Sequence, residues 1–166
     1  RYRVLAAIYP TEEDARAVRT QISQQHGVDS YLYRISLPGV QVSMQGMRGQ
    51  IEILQAGFLH AVDLVTQLQA CSLLADRSGA DTAGLLDTLR AAADQASLVA
   101  ARIRQRFPEP RNACADGLLS ILEGYCSFYA GLDGGAQTVL FGSELKYQSI
   151  LSLDLLRQVY DTLGNT

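Results

Sequence analysis

RYRVLAAIYPTEEDARAVRTQISQQHGVDSYLYRISLPGVQVSM, residues Arg1–Met44, carries most of the structural signal in this chain. In Arg1–Pro10, Val4, Ala6 and Ile8 alternate against Arg3, Leu5, Ala7 and Tyr9, the period of a strand with one covered face. Thr11 then stands as an N-cap, and Glu12, Glu13 and Asp14 put negative charge on the first helical turn, where the dipole favours it. Ala15, Val18 and Ile22 form the inward stripe of a helix running to His26, with Arg16 and Arg19 outside. Gly27 is a natural stop. Ser30–Leu37 and Val40–Met44 read as two further strands, joined as a hairpin by the turn signal Leu37-Pro38-Gly39-Val40.

Beyond Met44 the pattern turns helical. Gln45-Gly46-Met47-Arg48-Gly49 leads into a long helix over Gln50–Asp76, where Ile51, Leu54, Phe58, Ala61, Val65 and Leu68 recur at three- and four-residue steps. Leu59, Val62 and Leu73 widen that stripe, which predicts cover on more than one side. Gly57 is a place for a kink. Asp81 or Thr82 caps the next helix, whose seam is Leu85, Leu89, Ala92, Ala96, Val99, Ile103 and Phe107, and Pro108-Glu109-Pro110 breaks it. Another helix follows, with Cys114, Leu118, Ile121, Tyr125, Phe128 and Leu132 in line. Ser143–Leu163 is the last, carrying Leu145, Leu151, Leu155, Val159 and Leu163. Ala136–Phe141 is ambiguous between a short fourth strand and a loop or helix entry, the latter favoured.

The expected class is therefore α+β. A β-α-β-β-α unit with a small antiparallel sheet, half of a ferredoxin-like sandwich, occupies residues 1–76. An antiparallel helical bundle follows over residues 77–166, packed on that unit and sharing its second helix.

Composition narrows the function. The chain has 166 residues, 48% hydrophobic and 19% charged, enough for a full core. A net charge of −3 gives nucleic acid no electrostatic encouragement. One Lys (Lys146) stands beside thirteen Arg, which reads as codon bias before phosphate recognition. No apolar run approaches the roughly 18–20 residues that span a bilayer. The first residue is Arg1, which reads as a piece of a longer protein with any signal or anchor upstream.

Chemistry-bearing clusters are scarce. Cys71, Cys114 and Cys126 lack CxxC spacing, and buried thiols are the default; a Cys71–Cys114 or Cys71–Cys126 bridge stays open. Cys114 and Cys126 lie roughly 18 Å apart along one helix, too far to pair. His26 and His60 have no Cys, Asp or Glu at metal-ligand spacing, so no metal or other cofactor is expected. His60 and Asp63 share a helix face, which suits a hydrogen bond. Glu12-Glu13-Asp14 is explained by its place at a helix start. Arg102, Arg104 and Arg106 complement a helix C-terminus. Ser120, Ser143 and Ser149 lack a nucleophile elbow, and neither a P-loop nor a GxGxxG is present. The expectation is a protein that is not an enzyme.

Residues 2–75 resemble a SPOR domain, the sporulation-related repeat of bacterial cell-envelope proteins. Tyr2, Val4, Ala6, Tyr9, Thr11, Glu12, Glu13 and Ala15 fit its aromatic first strand and acidic helix start. Asp29–Leu37, with Tyr31 and Tyr33, resembles its second strand, and Val40-Gln41-Val42 with Gly46 its second half. Many members carry Gln where this chain has Leu5, and a fourth strand where this chain continues in helices. The helical extension is similar to that of SPOR-like proteins of spore-forming Firmicutes.

The resemblance implies a non-enzymatic module on the outer side of the cytoplasmic membrane, held by one upstream anchor helix. Such modules bind peptidoglycan glycan strands stripped of stem peptides, in sporulation or cell division, through the open sheet face. Here that face would present Arg3, Leu5, Tyr9, Tyr31, Tyr33, Gln41 and Ser43. Tyrosine rings suit the CH-rich faces of sugars. The same tyrosines also suit any strand, and the face could be covered by the helices or a second protomer. The competing expectation is a protein-interaction or dimerisation module of a membrane-anchored envelope protein.

Overall fold

Five helices and no strand make up the described part of the computed structural model, which comprises residues 7–9, 11–34, 48–75, 81–109, 111–133 and 141–164. They are α1 (Glu12–His26), α2 (Arg48–Ala75), α3 (Thr82–Arg106), α4 (Ala113–Asp133) and α5 (Phe141–Gly164).

The expected α+β class, with its ferredoxin-like sheet, is overturned. Residues 7–9 and 30–34 belong to the predicted first and second strands but are neither strand nor helix. The other residues of those two strands, the Leu37–Val40 turn and all of Val40–Met44 lie outside the described residues. The physical reason is visible at Leu32, which alternation would turn to the covered face of a sheet and which is 37% exposed, while Tyr31 and Tyr33 are exposed on the other side. Alternation makes a strand only when one face is covered and the backbone has a partner; tyrosine's β-propensity is mostly that packing, and it vanishes without it.

The α1 boundaries follow the sequence closely. Thr11 Oγ1 accepts from the Asp14 N–H at 3.1 Å, and Gly27 closes the helix at φ 62, donating its N–H to Ser23 O. Three carboxylates on the first turn complement the dipole. Yet none of its residues is buried, and among the described residues no other helix packs against it.

The other four helices form a bundle in which α2 packs on α3 and α5, α4 packs on α3 and α5, and α2 meets α4 across the centre. Neighbours run antiparallel. A Cβ on Gly57 would lie 2.9 Å from Ile103 of α3, while Gly49 lies against Arg106. Arg104 pairs with Glu123 at 2.7 Å, and Arg90 donates to Tyr129 Oη at 2.8 Å, which fixes α3 against α4. Gly117, early in α4, meets Val159, late in α5. Gly57 is thus a site of close approach between α2, α3 and Leu118 of α4.

The core is made of Leu64, Leu68, Leu89, Ala96, Ile103, Leu118, Leu122, Tyr125 and Leu145, with Phe107 closing one end. Tyr125 donates from Oη to Leu89 O at 3.4 Å and meets Phe128 edge-on, ring centroids 6.4 Å apart. Burial pushes its phenol pKa far up. Asp81 caps α3 through the Gly84 N–H at 3.0 Å, and Asn112 caps α4 through the Ala115 N–H at 2.8 Å. Arg111, bound to Asp116 and Glu109 at 2.8 Å each, ties the α3–α4 connection to the start of α4.

The expected stripes hold at Leu54, Ala61, Val65 and Leu68 of α2 and at Leu145 and Val159 of α5, and depart from the apolar pattern at a few positions. On α5, Ser149 and Ser152 are buried while Leu151 is exposed; Ser149 Oγ donates to Lys146 O at 2.8 Å, so its hydroxyl enters the core already satisfied. On α2, Ser72 does the same toward Gln69 O at 2.8 Å, whereas Leu59 and Val62 are exposed. The expected cover on that side of α2 is absent among the described residues.

Candidate functional site

The residues expected on a glycan-binding sheet face are not brought together on a sheet. Arg3, Leu5, Gln41 and Ser43 lie outside the described residues, and Tyr9 is half-buried just before α1. Tyr31 and Tyr33 stand exposed in the segment after α1. That segment folds back along the helix: Arg34 Nη2 lies 3.3 Å from Glu12 Oε2, and Arg16 Nε donates to Glu12 Oε1 at 3.0 Å. Glu12, Arg16, Arg19, Thr20, Tyr31 and Leu32 line an open depression between helix and segment. A helix N-cap thus sets Glu12, and Glu12 sets two guanidiniums. The Arg34 contact joins residues 22 apart and had no signal in the local pattern.

The second surface is the outward face of α2. From Gln55 to Leu74 its exposed positions include Ala56, Leu59, Val62, Thr66 and Ala70, and Asp63 is the charge among them. Leu59 is 57% exposed. The expectation that no apolar run approaches a bilayer span is corrected by α2, which is long and apolar enough by length and composition to cross a membrane, with 39% of its apolar window buried in the bundle. In this fold the same helix packs on α3, α4 and α5. Its apolar residues therefore divide between a core face and a face left outside.

Unpartnered polar atoms inside the bundle are few among the described residues. His60 Nε2 and Gln67 Oε1 on α2 and Tyr160 Oη on α5 are buried without hydrogen-bond partners among the described residues. Burial lowers the His60 pKa below its ordinary 6.5, against the opposing pull of Asp63, so the imidazole is neutral at pH 7. The thiols of Cys71, Cys114 and Cys126 are free, and burial raises all three above their usual range. Cys126 also donates weakly to Ala93 O at 3.5 Å, and burial favours for all three the thiol form that packs as a small hydrophobe. Among the described residues no three His, Cys, Asp or Glu groups are placed to hold a metal ion.

No protein-family model, curated protein or solved structure matches this chain.

Proposed function

We propose that this chain is a non-catalytic interaction module, in which a four-helix scaffold offers the outward face of α2 to a protein partner, a second copy of the chain being the simplest. The observation that supports this is the division of α2: a helix apolar over a long window spends its core face on the bundle and leaves Leu59, Val62 and Leu74 exposed. Apolar surface gathered on one helix, with Asp63 the charge within it, matches a helix–helix contact better than a substrate pocket. Multi-angle light scattering from micromolar to near-millimolar concentration tests it. The expected result is a mass that rises with concentration for the parent chain and stays monomeric for Leu59→Lys at unchanged helicity. A parent that remains monomeric throughout removes the second copy as partner.

A second reading keeps the cell envelope as the setting and peptidoglycan as ligand. It is supported by the resemblance of residues 2–75 to SPOR domains and by exposed Tyr31 beside Arg16 and Arg19, with Tyr33 exposed two residues on. On this reading the aromatic segment after α1, in place of a sheet face, meets the sugar rings. Cosedimentation with sacculi, before and after amidase removes stem peptides, tests it; equal absence from both pellets rejects it.

A further inference from the structure

We draw no further inference here: the strongest candidate beyond the α2 face, the pair of open glycines Gly124 and Gly131 on α4, is a stripe of small residues on which nothing in the structure shows what would dock.

Discussion

The bundle of α2–α5 and the segment around α1 are stabilised in different ways, although both are helical. In the bundle each helix buries one face against two or three others, and the large side chains Leu64, Leu118, Ile121 and Tyr125 are fully enclosed. Burial of one such side chain is worth about 1.5–3 kcal/mol. Around α1 the inward stripe Ala15, Val18 and Ile22 is only half-buried, and the visible supports are a Thr cap, a Gly stop and ion pairs of Glu12 that face water. A cap contributes about 1 kcal/mol and an exposed pair about 0–1. A 15-residue helix at that level is marginal by itself. Good local signals and a good core are therefore separable properties: α1 has the clearest capping sequence in the chain and no buried residue.

The largest expected effect tests the core side of this contrast. Leu118→Ala removes a fully buried side chain that reaches Gly57 of α2, and should cost about 2–5 kcal/mol in urea denaturation followed by circular dichroism. Ile22→Ala on α1 should cost less than about 1 kcal/mol. Equal losses would mean that α1 is as firmly packed as the bundle, and the contrast would fail.

Next come the glycines of α4, which sharpen it within one helix. A Cβ at Gly117 would land on Val159 Cγ2, and a β-branched side chain on a helix cannot rotate away easily. Overpacking of about 1–3 kcal/mol should outweigh the roughly 1 kcal/mol of helix propensity gained, so Gly117→Ala should lower stability by about 1 kcal/mol. At Gly124 nothing lies within 4 Å of a Cβ, and Gly124→Ala should raise stability by up to about 1 kcal/mol. Thermal melts of the two variants should move in opposite directions; a shared direction would show that propensity, not packing, sets the cost at Gly117.

A smaller effect is carried by pH. His60 has its folded pKa lowered by burial, so the unfolded chain binds the extra proton first. Its contribution to stability is complete above about pH 6.5 and is lost as pH falls through that value toward the lower folded pKa. Urea midpoints taken from pH 7.5 down to 5 should decline below 6.5, and His60→Gln should flatten that part of the profile. An unchanged slope in the variant would place the titration elsewhere.

These contrasts also mark what was legible. Helix existence and caps were, because 3.6-residue periodicity and Thr11, Gly27 and Asp81 act locally. The seam of α3 was read correctly from Leu85 to Phe107, for an amphipathic helix with one buried face shows its pattern openly. On α5 the seam held at Leu145 and Val159 and failed at Leu151, which points out while Ser152 and Ser149, the latter bonded to its own helix backbone, take core positions. Cover failed on α2, since an apolar residue on a helix declares a preference without naming a partner. The sheet failed for the same reason at longer range: alternation around Tyr31 and Tyr33 says which way side chains point and nothing about what pairs with the backbone. Of the seven residues expected on the binding face, Tyr31 and Tyr33 are exposed without the sheet that was to present them.

Tyr33 gives the smallest effect on stability and the cleanest separation of the two regions. Its ring is 72% exposed, so Tyr33→Ala should leave the urea midpoint within about 0.5 kcal/mol of the parent. If the segment after α1 meets glycan, the variant should lose several-fold in retention by amidase-treated sacculi, because a ring stacked on a sugar contributes to the complex and not to the fold. Leu59→Lys, on the far side of the contrast, should keep sacculus retention while abolishing self-association. Should Tyr33→Ala bind as the parent does while Leu59→Lys loses both properties, recognition would belong wholly to α2, and the aromatic segment would be left as exposed chain without a ligand.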